Sequence, residues 1–77
     1  GVRETVERLI AHRLERQRRV LAAVQSGART VDAVVDAAYD KDVSGVRDLA
    51  AATVHAHLKK LAVEGTVDYD GDTARPA

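Results

Sequence analysis

Two histidines stand two residues apart in His55-Ala56-His57 and are the first candidates for metal chemistry. The apolar spacing around them predicts a helix. In an α-helix, side chains two residues apart point about 200° away from each other, so one ion cannot bind both imidazoles. Ligand pairs on helices need a spacing of three or four residues. We therefore predict no metal site here, with one imidazole turned inward and the other on the surface.

Three aspartates surround a glycine near the end of the chain, Asp68, Asp70 and Asp72 around Gly71. Their carboxylates suit calcium, but an EF-hand loop needs twelve residues, a glycine at position six and a distal Glu. The pattern does not meet these requirements, so we predict an acidic, solvated hairpin. We assign no catalytic residue, no metal ligand and no cofactor to this chain.

A basic run, Arg13, Arg16, Arg18 and Arg19, offers two interpretations. It is either a solvated helix face paired with Glu15, or a phosphate-contacting stripe. Arg16 and Arg19 are i,i+3 neighbours and would form one patch with Arg13. The formal net charge of the chain is zero, which favours the solvated face.

The basic run lies within a long first helix, which is predicted from Val2 to Gln25. One apolar stripe follows it at steps of three, four and seven residues: Val6, Ile10, Leu14, Leu21 and Val24. At about 1.5 Å per residue such a helix exceeds the span of a domain this small. We expect its first two or three turns to protrude and to pack against something absent from this sequence.

Two further helices and a hairpin follow. The second helix is predicted from an N-cap at Thr30 to near Tyr39, and the third from an N-cap at Ser44 to about Glu64, where Gly65 ends it. The buried side of the third helix is predicted to carry Leu49, Val54, Leu58 and Leu61.

The last segment is predicted to form a β-hairpin. Asp70-Gly71 is a signal for a two-residue turn, Val67 and Tyr69 share one strand face, and Pro76 ends the second strand. The resulting fold class is mainly α: a winged helix-turn-helix of three helices plus a short β-hairpin wing. We expect one domain over residues 1–77, with 1–14 a helical connector to a partner absent from this sequence and 15–77 the winged-helix core.

Composition excludes several classes of function. The chain has 77 residues, 45% hydrophobic and 31% charged, without Cys, so disulfides and Cys-ligated zinc are excluded. No apolar run reaches membrane-spanning length. Arg predominates over Lys, and Ala and Val are abundant, which suggests a bacterial, cytoplasmic protein from a high-GC genome. The absence of Met and the Gly1-Val2 start suggest a piece of a longer protein.

Base reading by the third helix would use Ala52, Thr53, His55, Ala56 and Lys59, where sequence-specific readers prefer Arg, Asn or Gln. The aspartates of the hairpin would repel a phosphate backbone. The candidate nucleic-acid contacts, by charge and position, are Arg13, Arg16, Arg19, His55, Lys59 and Lys60.

Two resemblances extend this interpretation. The segment from Thr53 to Val67, with His57-Leu58-Lys59-Lys60-Leu61 and then Gly65, resembles the recognition helix and wing entry of bacterial winged-helix regulators. Nearly the whole chain resembles the C-terminal winged-helix domain of metallo-β-lactamase-fold hydrolases of the beta-lactamase-like-protein-2 group, which includes an endoribonuclease. This second likeness rests on Ile10 to Arg16, Val20 to Val24, Thr30 to Val35, Tyr39 and the third helix.

The second resemblance implies a parent protein that hydrolyses an ester, thioester or phosphodiester with zinc. The family's His-x-His-x-Asp-His metal motif is absent here, whereas its His-Arg pair matches His12-Arg13, where the catalytic part joins. The implied role is an accessory domain that packs on the upstream catalytic domain of the same chain and borders its substrate groove. The expected inter-domain contacts are Val6, Leu9, Ile10, His12 and Arg13.

Two other roles remain open from the sequence. One is a winged-helix transcription regulator that binds duplex DNA. The other is a dimerisation module that pairs through the apolar stripe of the first helix, including Val2, Val6, Leu9 and Ile10. Single-stranded RNA or another large substrate is a possible partner through the parent, and no membrane partner is expected.

Overall fold

The computed structural model describes residues 1–39 and 44–77. Three α-helices, one short 3₁₀ helix and an antiparallel hairpin follow one another in the predicted order. Their bounds are α1 Val2–Gln25, α2 Val31–Ala38, the 3₁₀ helix Ser44–Val46, α3 Arg47–Val63, β1 Val67–Tyr69 and β2 Ala74–Pro76. This is the winged helix-turn-helix architecture, mainly helical with a long first helix.

The core lies where the last turns of α1 meet α2, α3 and the hairpin. Its largest fully buried side chains are Leu58, Val20, Val24, Val34, Val35, Val54 and Val67. Burying one such aliphatic side chain contributes about 1.5–3 kcal/mol. Small valines and alanines therefore build a thin core that covers only the C-terminal third of α1.

The first part of α1 extends beyond this core. Residues 1–15 are all exposed, as expected for protruding turns, and the first buried side chain is Val20. The apolar stripe itself continues outward through Leu14, which is 50% exposed. The apolar period predicted for α1 is therefore correct, but only the C-terminal third of the helix packs against other described elements.

Local signals set the bounds of α2 as predicted. The hydroxyl oxygen of Thr30 accepts a hydrogen bond from the backbone N–H of Ala33 at 3.1 Å, which caps the helix. Val34, Val35 and Ala38 are buried. The helix ends at Ala38, one residue before the predicted limit.

Two details of α3 differ from the prediction. Ser44 does not cap it: residues 44–46 form a 3₁₀ turn, and Val46 is the N-cap. Leu49, predicted to be buried, is 68% exposed, and Ala50 is buried instead. The buried line runs Ala50, Val54 and Leu58 to Leu61, and Leu49 lies about 100° around the helix from Ala50.

The wing also differs from the predicted two-residue hairpin. Tyr69 pairs with Ala74, so the connecting loop has the four residues 70–73. The Asp70 carboxylate accepts backbone hydrogen bonds from Asp72 at 2.9 Å and Thr73 at 2.8 Å, which closes this wider loop and lowers the pKa of Asp70. β2 ends at Pro76, as predicted.

Within residues 1–39 and 44–77, no helix is both long enough and apolar enough to cross a membrane.

Candidate functional site

The histidines of α3 take the opposite orientations that their spacing predicts. His57 is buried and His55 is exposed. Among the described residues, no group of three His, Asp or Glu side chains is placed to hold a metal ion. Neither imidazole therefore belongs to a metal cluster in the part of the chain that the structure describes.

His55 is engaged with the wing. Its Nδ1 lies 2.5 Å from the Tyr69 hydroxyl, and that hydroxyl donates to the Gly71 carbonyl at 3.0 Å. The rings meet edge to face, with centroids 5.4 Å apart. His55 thus fixes the wing to α3, which was not predicted from sequence.

The basic run divides between two faces of α1. Arg18 and Arg19 pair with Glu15, at 3.2 Å and 3.4 Å. Arg16 instead stacks on Tyr39, with its guanidinium carbon 4.1 Å from the ring centroid. The solvated, Glu15-paired interpretation therefore describes Arg18 and Arg19, whereas the phosphate-contacting stripe stays a prediction; the two sets separate because a helix turns about 100° per residue.

A cleft opens between α1 and α3, which we call the α1–α3 cleft. Its outer part, of about 350 Å³, has an apolar wall that includes Tyr39, Val46, Leu49 and Ala50. Its inner part, of about 470 Å³, is more polar and includes Gln17 and Lys60. Both parts share the lining residues Arg13, Thr53 and His57, so they adjoin each other along α1 and α3.

The α1–α3 cleft is electrostatically positive. Arg13, Arg16 and Lys60 line it, with His12 and His57, and no Asp or Glu stands among its described lining residues. Burial first, and then the positive charges of Lys60, Arg13 and Arg16, lower the pKa of His57 below its ordinary value. The groove therefore keeps His57 neutral near pH 7 and offers its positive potential to an anion.

The sequence signals for this groove are only partly local. Arg13 and Arg16 share a face by their i,i+3 spacing, as do His57 and Lys60. What brings these two pairs together is the packing of α1 on α3. Of the other candidate nucleic-acid contacts, Arg19, His55 and Lys59 do not line the cleft.

The start of α3 is tied to α2 by ion pairs. Arg47 contacts Asp36 at 3.0 Å and Asp32 at 3.5 Å. The hydrogen bond that Arg47 donates to Asp36 is the main reason why the pKa of Arg47 is raised. Arg47 directly follows the 3₁₀ turn and lies between Val46 and Leu49, which line the outer part of the cleft.

Large apolar side chains also lie exposed on the protruding turns of α1. Exposure is 83% for Val2, 48% for Val6, 64% for Leu9, 54% for Ile10 and 50% for Leu14. Of the expected inter-domain contacts, Val6, Leu9 and Ile10 belong to this set, and His12 and Arg13 follow at the mouth of the cleft. We call Val2, Val6, Leu9, Ile10 and Leu14 the α1 apolar face.

Comparison with known proteins now decides the family. A family model described as "Beta-lactamase associated winged helix domain" matches residues 30–75, more than half of the chain. The chain belongs to this family. No curated protein and no solved structure matches it significantly.

The match covers the winged-helix core of this beta-lactamase associated domain, from the Thr30 cap to the second wing strand. It confirms the fold and the association with beta-lactamase that the sequence resemblance implied. The α1 apolar face and the α1 side of the cleft lie outside the matched residues, so their roles depend on the geometry above.

Proposed function

We propose that this chain is the C-terminal accessory domain of a zinc-dependent hydrolase of the metallo-β-lactamase superfamily. In this proposal the α1 apolar face packs on an upstream catalytic domain of the same chain. The winged helix then borders that domain's substrate groove. The catalytic residues and zinc belong to the catalytic domain, and the present chain supplies positioning and surface.

The observation that carries the proposal is the α1 apolar face. Its five side chains are each about half exposed or more, although each is of a type that folding normally buries. Contiguous exposed apolar surface of this kind marks an interaction site in soluble proteins. The family's association with beta-lactamase favours a catalytic domain as the partner.

The exposed side of α3 argues against base reading as the main role. Ala52 and Ala56 present only methyl groups, and His55 is engaged by Tyr69. The wing bears Asp68, Asp70 and Asp72, all exposed. A duplex backbone would meet repulsion there rather than the basic contacts that dominate DNA affinity.

Deleting residues 1–77 from the parent tests the accessory role. We expect the remaining catalytic domain to keep its zinc and to lose stability, or activity on large substrates, relative to small ones. Metal analysis, thermal unfolding and kinetics with a large and a small substrate measure this. A truncated parent that matches the intact parent in all three would contradict the role.

Point substitutions test the docking surface itself. In the parent, Leu9→Asp and Ile10→Asp should lower the unfolding temperature, because a charge would be buried at the interface. The matched control is Val63→Asp at an apolar position of α3 that is 89% exposed. Equal effects at Leu9 and Val63 would refute docking through α1.

Two solution measurements test the alternative roles, dimerisation through the α1 apolar face and binding of duplex DNA. Sedimentation of the isolated 77-residue chain measures self-association through α1, and titration with duplex DNA at several salt concentrations measures nucleic-acid binding. If Leu9→Asp changes only the self-association and leaves the parent unaltered, the dimerisation role replaces the docking role. A steep salt dependence with sequence selectivity would instead support a regulator.

A further inference from the structure

We propose that the inner part of the α1–α3 cleft is a binding site for an organic phosphate, with the phosphate group held by Arg13 and Lys60 and an apolar group against Ala52 and Ala56. The site is formed by this chain alone. It therefore does not depend on the proposed hydrolase activity of the parent, and each proposal can fail separately.

The charge of the cleft selects an anion. Arg13 and Lys60 come from opposite walls, α1 and α3, and the described lining residues contain no carboxylate that would neutralise them. Neither cation has an ion-pair partner among the described residues, in contrast to Arg18, which pairs with Glu15 at 3.2 Å. Two unpaired cations on facing helices leave a positive site that an anion would stabilise.

A phosphate fits this site better than a single carboxylate. A phosphate monoester carries nearly two negative charges at neutral pH and three oxygen acceptors. The Arg13 guanidinium and the Lys60 ammonium offer several N–H donors from two helices, more than one carboxylate uses fully. The dianion matches two cations without a further counterion.

The lining of the inner part combines charged and apolar side chains. Ala56 and Ala52 lie about one and two turns of α3 before Lys60 and offer methyl groups to a ligand. In the inner part, Gln17 has a buried side-chain oxygen that lacks a hydrogen-bond donor among the described residues. A ligand with an apolar end and a hydroxyl or N–H near its phosphate would satisfy both features, because an unpaired buried acceptor is destabilising.

Binding would also be reported by His57, which lines both parts of the cleft. Burial and the charges of Lys60, Arg13 and Arg16 hold its pKa down. A bound phosphate would oppose those charges and raise the pKa of His57. This gives a spectroscopic readout that simple surface adsorption elsewhere would not change.

The test is an NMR titration of the 77-residue chain with phenyl phosphate, inorganic phosphate and benzoate at constant ionic strength. We expect saturable shifts at Thr53, Ala56 and His57 with phenyl phosphate, and a raised His57 pKa. Benzoate should bind roughly tenfold more weakly, since it lacks the second charge. Inorganic phosphate should also bind more weakly, since it lacks a ring to contact Ala52 and Ala56.

Matched substitutions localise the site. Arg13→Gln and Lys60→Gln should each weaken phenyl phosphate binding by about fivefold, the loss of one charge-assisted contact at an accessible site. The controls Lys59→Gln and Arg18→Gln lie outside the cleft lining and should leave the affinity unchanged. All four positions are exposed, so circular dichroism should show an intact fold for each variant.

Three results would overturn the proposal. Equal losses for Lys59→Gln and Lys60→Gln, or shifts spread over all basic residues, would indicate an adventitious ion only. Benzoate that binds as tightly as phenyl phosphate would indicate a site for acidic side chains of a protein partner. Binding of a single-stranded oligonucleotide without binding of phenyl phosphate would indicate a polyanion surface.

Discussion

Acidification should destabilise this domain through His57, and replacing that residue should remove the effect. The imidazole is 8% exposed, on the face of α3 that also carries the fully buried Val54 and Leu58. Burial, together with the charges of Lys60 and the α1 arginines, disfavours its protonated form in the folded state. In the unfolded chain the imidazole is hydrated and regains an ordinary pKa of about 6.5.

The sign and the limit of the effect follow from proton linkage. Between the folded-state and unfolded-state pKa values of His57, the unfolded chain binds more protons, so stability rises with pH. The contribution is fully present above the unfolded-state value and is lost as the pH falls below about 6.5. One group gives a slope of at most about 1.4 kcal/mol per pH unit, against a total of roughly 4–12 kcal/mol for a chain of this length.

Urea unfolding followed by circular dichroism at pH 5, 6, 7 and 8 measures this slope. The comparison is wild type against His57→Leu, which replaces the imidazole with an apolar, non-titrating side chain of similar size. We expect the variant to gain stability relative to wild type only below about pH 6.5. His12→Gln, at an exposed histidine, is the control and should follow the wild-type profile.

The reasoning is refuted if the wild-type and His57→Leu profiles remain parallel from pH 8 to pH 5. A constant offset would mean that His57 acts through packing alone. If His12→Gln flattens the profile as much as His57→Leu, the titrating group lies at the exposed position, and burial of His57 does not control it.

Two further predictions concern stability and use the same urea assay. Leu58→Ala should cost about 2–5 kcal/mol, since Leu58 is fully buried, whereas Val63→Ala at an 89% exposed position should stay within about 0.5 kcal/mol. Wild-type stability for Leu58→Ala would contradict the described core. Gly65→Ala should cost about 1–2 kcal/mol because its φ is +79°, with no atom within 4 Å that a Cβ would meet. Gly45→Ala is the control for this change, and equal losses at both glycines would contradict a conformational origin.

The sequence determined the elements of this fold because their signals are local. A 3.6-residue apolar period predicts α1 from Val2 to Gln25, the bounds that the structure gives it. The Thr30 hydroxyl and the positive φ of Gly65 act within one helical turn, so cap and stop are readable from neighbouring residues. The resemblance to the winged-helix domain of metallo-β-lactamase-fold hydrolases indicated the family that the comparison confirmed over residues 30–75.

Details that depend on the phase of an element were less predictable. Leu49 and Ala50 are both apolar and adjacent, and only the placement of α3 against α2 and α1 decides which is buried. The Asp70-Gly71 pair signals a turn, but the carboxylate bonds of Asp70 select the four-residue loop. Rotating a helix about its axis by one residue, about 100°, changes which side chains are buried while the sequence of apolar residues stays the same.

The candidate site was decided by tertiary structure alone. The sequence identified Arg13, Arg16 and Lys60 as cations, but not that α1 and α3 bring them to one groove while Arg19 pairs with Glu15. The charge of each residue follows from its type, so the sequence alone gives it. The positive potential of the α1–α3 cleft instead depends on the distances between Arg13, Arg16 and Lys60, and only the packing of α1 on α3 sets those distances.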